Sequence, residues 1–115
     1  MKAADVVVAL GALAQESRLS VFRILVKRGP EGYTPGDLLG KIEVPAPTLS
    51  FHLKELQRAG LVSSRREGRF LYYSVNFDAM EALMEFLTDQ CCSLSDASCD
   101  TACKPATATA KKRRA

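Results

Sequence analysis

The sequence predicts a mainly helical chain with one small β-hairpin, and three observations carry that expectation. Residues 6–59 give four successive helix signals, and Gly or Pro separates the later ones. After Gly60 the pattern changes to two short strand-like runs around a glycine. From Phe77 to Leu87 the apolar residues return to helical spacing. At 115 residues the chain is long enough for one domain and not comfortably for two.

Residues 1–15 have the outline of a secretion signal: Lys2, an apolar stretch and Ala12-Leu13-Ala14. Asp5 at the edge of the stretch and the single Lys argue against it. The segment reads instead as an apolar helix that packs on a partner, with Val6, Leu10 and Leu13 at i, i+4, i+7. A second helix is expected to start near Ser17, a good N-cap. Leu19, Phe22, Ile24, Leu25 and Val26 follow, and Gly29-Pro30 stops it. Lys27 and Arg28 in its last turn suit the helix dipole.

Thr34-Pro35-Gly36-Asp37 is a helix start: a capping hydroxyl, Pro in the first turn and an acid three residues on. The third helix is expected over residues 35–42, with Leu38, Leu39 and Ile42 inward. Val44-Pro45-Ala46-Pro47 then forbids a continuous helix. The fourth helix takes Pro47 into its first turn and runs to about Ala59 before Gly60. Leu49, Leu53 and Leu56 form its core stripe. Its opposite face shows Pro47, Ser50, Phe51, Lys54 and Arg58, with Thr48 on the flank. Strands are expected over residues 61–66 and 70–75, joined by the three residues Glu67-Gly68-Arg69. Asn76 or Asp78 then caps a last helix bearing Phe77, Met80, Leu83, Met84 and Leu87.

The order helix, helix, helix, helix, hairpin, helix, with a short turn between the third and fourth helices, is that of a winged helix-turn-helix. Residues 1–90 are expected to form this domain. Residues 91–115 form a cysteine-bearing segment and a basic tail, disordered past about residue 104.

Charge supports a polyanion as partner. Residues 1–90 hold eleven Lys/Arg and eleven Asp/Glu, so the net +3 lies entirely in residues 91–115. Within the body, residues 41–75 hold six basic and three acidic groups, whereas residues 76–90 hold four acids and no base. A basic middle beside an acidic last helix gives one face suited to nucleic acid. No apolar run approaches the ~20 residues of a membrane span. One His and no Trp leave most acid–base enzymes without parts.

The second helix of a helix-turn-helix enters the major groove, where side chains of its exposed face reach base edges. Thr48 and Ser50 offer hydroxyls, Phe51 offers a contact for thymine methyl groups, and Lys54 and Arg58 suit phosphates. Arg65, Arg66 and Arg69 are expected at the hairpin tip, against backbone or minor groove. A solvated basic surface is the plain alternative, and the adjacent polar helix face tips the balance to DNA. His52, between the core stripe and the exposed face, is either a packing residue or a phosphate contact. With no second His it is not a metal site.

The block Thr48-Leu49-Ser50-Phe51-His52-Leu53-Lys54-Glu55-Leu56-Gln57-Arg58-Ala59-Gly60-Leu61-Val62, followed by Arg65-Arg66-Glu67-Gly68-Arg69-Phe70-Leu71-Tyr72-Tyr73, resembles the ArsR family of metalloregulatory repressors. Leu13-Ala14, Ser17-Arg18-Leu19 and Ile24-Leu25 match its opening helices. The resemblance covers about residues 5–90. It implies a cytoplasmic homodimer built from the first and last helices, bound to double-stranded operator DNA and released by an inducer. Half-sites would lie about 10 bp apart or a multiple of that.

The inducer must be read from the cysteines. The family's Cys-x-Cys arsenic site at the start of the third helix is absent, as are the His ligands of its zinc site on the last helix. What remains is Cys91, Cys92, Cys99 and Cys103, all within thirteen residues. They staple nothing to the body, so they read as a soft-ligand cluster. They resemble arsenic-responsive members in which a vicinal pair after the last helix joins a third Cys. That implies trivalent arsenic, or antimony, on Cys91, Cys92 and Cys99, with Cys103 as a substitute. A four-thiolate zinc, cadmium or lead site and a thiol-redox switch stay open. Outside this class, a winged helix that binds a protein partner is the remaining alternative. Cys/His catalysis would need a cysteine beside His52, and the cysteines lie instead past the last helix.

Overall fold

The computed structural model describes residues 1–95. Its elements are α1 (Ala3–Leu13), α2 (Glu16–Arg28), α3 (Pro35–Leu39), α4 (Ala46–Arg58), β1 (Val62–Glu67), β2 (Phe70–Val75) and α5 (Phe77–Thr88). The chain divides into a compact unit Met1–Leu83 and a second that begins at Met84. The element order is the one expected, and the fold is a winged helix-turn-helix.

The core of the first unit lies where α2, α3 and α4 meet the base of the hairpin. Val21 and Leu25 of α2, Leu38 of α3 and Leu49, Leu53 and Leu56 of α4 are buried there with Leu61, Val62 and Val75. The i, i+4, i+7 stripe of α4 is fully used. Within the chain α1 buries a different stripe from the Val6, Leu10 and Leu13 set expected against a partner. Val6, Ala9 and Ala12 face inward, Leu10 is 41% exposed and Leu13 is half-buried. Two alanines let α1 lie close on its neighbours, which leaves Val7, Val8 and Leu10 outside.

Several boundaries move for local reasons. The cap of α2 is Gln15, not Ser17, because the Gln15 Oε1 accepts the Arg18 amide at 2.8 Å. Thr34 and Asp37 form the reciprocal capping box of α3, with bonds of 3.1 and 3.2 Å. That helix closes at Leu39 rather than Ile42, and Leu39 stays exposed. Asn76, not Asp78, caps α5: its Oδ1 accepts the Ala79 amide, and its Nδ2 donates to the Gly60 carbonyl.

The hairpin is antiparallel, with Val62 opposite Val75 and Glu67 opposite Phe70. Its loop is therefore the two residues Gly68-Arg69 rather than three. The first of them takes φ +65°, which suits a two-residue turn that opens on Gly. The sequence offered no sign of a bridge between Tyr33 and Tyr73, joined by N–H···O bonds of 2.9 and 2.8 Å in both directions. It fastens the approach to α3 onto β2.

Candidate functional site

The faces of α4 divide as its sequence requires. Its leucines turn inward, which leaves Ser50, Phe51 and Lys54 between them facing out. Ser50, Phe51, Lys54 and Arg58 are exposed and Thr48 is half-buried on the flank. Phe51 is 54% exposed, which is unusual for a ring that packing could have hidden. Arg58 pairs with Glu55 at 3.1 Å. Such an exposed pair is worth at most about 1 kcal/mol and yields easily to a phosphate. This face is polar, basic and carries one apolar ring, the mix a major-groove reader needs.

The three wing arginines are differently placed. Successive strand residues point to opposite faces, so Arg65 and Arg66 diverge. Arg65 turns to the body. Its Nε donates to Glu67 Oε2 at 2.9 Å, its Nη1 to the Pro30 carbonyl at 3.1 Å and its Nη2 to the Glu31 carbonyl at 2.8 Å. Its guanidinium also lies 5.0 Å from the Tyr72 ring centroid. Arg65 is thus a strut that ties the hairpin to the loop before α3, not a tip residue with a spare fork. Arg66 and Arg69 are exposed, with Arg69 in the turn itself.

Of the two readings of His52, packing residue or phosphate contact, burial favours packing. It is 5% exposed. Its Nδ1 accepts from Arg18 Nε at 3.4 Å. The imidazole titrates below its usual 6.5, first because it is buried and second because Arg18 is positive. A helix position between two faces goes to whichever side offers a partner. Here that partner comes from α2, 34 residues earlier, and nothing in the local pattern announces it.

The sequence also left unread a cationic cluster around Tyr33. The Arg28 guanidinium and the Lys41 ammonium lie 4.9 and 5.1 Å from its ring centroid. Aromatic residues near Lys and Arg were the available signal, but Arg28, Tyr33 and Lys41 belong to three separate segments.

The cysteines begin where α5 has ended. The helix stops at Thr88, and Gln90 and Cys92 take the left-handed φ values +58° and +62°. Turn bonds run from the Cys91 amide to the Thr88 carbonyl and from the Ser93 amide to the Gln90 carbonyl. The Cys91 and Cys92 Sγ atoms lie 3.7 Å apart. Two thiolates held by one tetrahedral ion at ~2.3 Å would stand at a similar separation, about 3.8 Å. Cys92 is disulfide-bonded in this structure. Cys99, Cys103 and the basic tail lie outside the described residues. Among the described residues no three His, Cys, Asp or Glu side chains converge on a metal position. No helix among them is long and apolar enough to cross a membrane.

Comparison with known proteins agrees with this architecture. A helix-turn-helix domain family matches residues 13–65. The chain is 33% identical over 84 residues to the transcriptional activator HlyU of Vibrio cholerae, covering 73% of this chain and 75% of that one. It is 33% identical over 81 residues to the arsenical resistance operon repressor of Bacillus subtilis, covering 70% and 73%. Among solved structures, an ArsR-like transcriptional regulator from Rhodococcus sp. RHA1 superposes with a TM-score of 0.66 at 25% identity, covering 73% and 76%. The homodimeric winged helix-turn-helix DNA-binding domain of Mb0332 from Mycobacterium bovis, a possible ArsR-family regulator, gives a TM-score of 0.57 at 27% identity, covering 75% and 80%.

Proposed function

The chain belongs to the ArsR family of transcriptional regulators, and from that premise we propose that it is a cytoplasmic homodimeric repressor released from operator DNA by a thiophilic metalloid. Trivalent arsenic is the inducer, with antimony as the close chemical alternative. Cys91 and Cys92 supply two of its three sulfurs, and Cys99 or Cys103 supplies the third.

DNA binding is supported by the polar, basic outer face of α4 with Thr48, Ser50, Phe51, Lys54 and Arg58, and by Arg66 and Arg69 on the wing. Arg65 contributes by holding the wing. Dimerisation through the first and last helices is supported by the apolar side chains each leaves exposed. These are Val7, Val8 and Leu10 on α1, and Met84, Phe86 and Leu87 on α5.

The observation that carries the inducer is the 3.7 Å approach of two vicinal sulfurs just past a helix end. In a regular helix adjacent side chains diverge by about 100°, whereas the left-handed Cys92 turns the pair together. Thiolate sets select soft ions. On binding arsenous acid, each of three thiols forms an As–S bond as an As–O bond breaks, and its proton leaves in water. Only reduced cysteines can do this, so a thiol reductant must first open the disulfide at Cys92. Because metalloid and DNA act on one dimer, each weakens the other's binding by the same factor.

The test is release of the reduced protein from its own upstream DNA, titrated with arsenite, antimonite, cadmium and zinc. Arsenite is expected to release it at the lowest concentration, and Cys92→Ser to hold DNA while ignoring arsenite. Release by cadmium or zinc alone replaces the metalloid with a four-thiolate site. No release by any ion ends the metal reading.

The disulfide at Cys92 favours a second reading, a thiol-redox switch of the same fold. It expects DNA affinity to change on oxidation and reduction with no metal present, and this same titration under reductant separates the two.

A further inference from the structure

We infer that Arg18 is a positioning residue for the DNA-reading helix: it braces α4 against the end of α1 through His52, and the brace holds only while that imidazole is neutral. The inference rests on the DNA-binding reading of α4 and is independent of the cysteines.

One guanidinium joins three elements. Arg18 sits in the first turn of α2, and its Nη1 donates to the Ala12 carbonyl at 3.3 Å. That carbonyl is in the last turn of α1 and has no partner within its helix. The Nε donates to His52 Nδ1 at 3.4 Å. The Cζ lies 5.7 Å from the centroid of Phe51, within cation–π reach. Arg18 therefore grips α4 from both sides: at a buried imidazole and at a ring on the exposed, DNA-reading face. Two nitrogens must serve two acceptors in a fixed fork, which a lysine ammonium does not reproduce.

The imidazole's state follows from its partner. Arginine only donates, so Nδ1 must be the acceptor, and the neutral ring carries its proton on Nε2. A second proton on Nδ1 would set N–H against N–H and place two cations 3.4 Å apart. The charged group bonded to the ring is Arg18, from α2. Glu55 and Arg58 come from α4 itself, are paired with each other and line the same cleft as Arg18. The α1 wall of that cleft is Val8, Gly11 and Ala12, which carry no charge. Among the described residues no carboxylate is bonded to the ring to favour its cation. Acidification therefore opens the brace and frees α4 and Phe51 from their register.

The direction is diagnostic. Protonation elsewhere adds positive charge and would tighten DNA binding, whereas opening the brace loosens it. The experiment measures operator affinity at pH 7.5 and 5.5 at constant ionic strength. Wild type is expected to bind more weakly at the lower pH, by up to about tenfold, the loss of one charge-assisted contact. His52→Gln keeps an acceptor for Arg18 but cannot titrate, so its affinity should differ between the two pH values by less than wild type's does. Arg18→Met should bind more weakly at both, and Arg18→Lys should restore only part. A His52→Gln variant that follows the wild-type pH profile overturns the inference.

A second readout needs no DNA. Nitrogen NMR of the free protein should find His52 with its proton on Nε2, and Arg18→Met should raise its pKa. The proton on Nδ1, or a pKa indifferent to Arg18, removes the brace whatever the DNA result. If the NMR holds and wild type binds no operator at either pH, the DNA reading fails, and Arg18's role in it fails too.

Discussion

Gly32 lies so close against β2 that a Cβ placed on it would stand 2.5 Å from the carbonyl oxygen of Tyr73. Its φ of +73° is also one that only glycine adopts freely. Both constraints serve the Tyr33–Tyr73 bridge that fastens the approach to α3 onto the hairpin. Gly32→Ala should therefore cost more than the 1–3 kcal/mol typical of a strained backbone, because the bridge must also part. Gly68 has a similar φ, +65°, but open space around its Cβ, so Gly68→Ala should cost only about 1–2 kcal/mol. Urea unfolding of both variants checks the order, and equal losses would contradict the close approach.

The wing arginines should separate by salt dependence and by local stability. Arg66→Ala and Arg69→Ala should each lower the slope of log affinity against log salt by about 0.9. Arg65→Met should instead speed hydrogen exchange across the hairpin, since it removes the bonds to Pro30, Glu31 and Glu67. Unchanged exchange would mean that the strut carries no load.

Leu56 is fully buried where α4 meets the core. Leu56→Ala should destabilise the fold by about 2–5 kcal/mol, read by urea or thermal unfolding. A loss under 1 kcal/mol would mean that the site collapses around the smaller side chain.

Stability should also depend on pH through His52. Its folded pKa lies below the usual 6.5, so between those values the unfolded chain holds the extra proton. Stability is then full above pH 6.5 and falls as pH drops from there toward the folded value. His52→Gln should flatten that segment of the curve in thermal unfolding; a slope that survives must come from another group.

Leu10 is 41% exposed in the single chain. A glutamate there costs an isolated protomer little but would be buried without a partner charge in a dimer that uses α1. Leu10→Glu should therefore shift sedimentation from dimer to monomer while helix content stays the same. A dimer that tolerates it would move the interface off this face of α1.

Much was legible in residue order because local rules act over a few residues. The α4 leucines at i, i+4, i+7 settled its buried face. Thr34 and Asp37 settled the start of α3, and the glycine between two strand-like runs settled the hairpin. Where the rules were evenly matched, the sequence was silent or misleading. Both the leucine and the alanine stripes of α1 satisfy helical spacing, and only close packing on its neighbours chose the alanines. Arg65 and Arg66 read as a pair, yet the strand's alternation gave one to the body and the other to solvent.

Residue order alone dictates a helix-turn-helix with a wing, a polar basic face on α4 and a run of thiols after the last helix. Those are properties of spacing and residue type. Packing settled which polar side chains bond within the molecule: the part-buried Arg18 to Ala12 and His52, and the exposed Arg65 to Pro30 and Glu31. Such a group takes its partner from whatever the fold brings within hydrogen-bonding reach. Here those partners stand as far as 35 residues away along the chain.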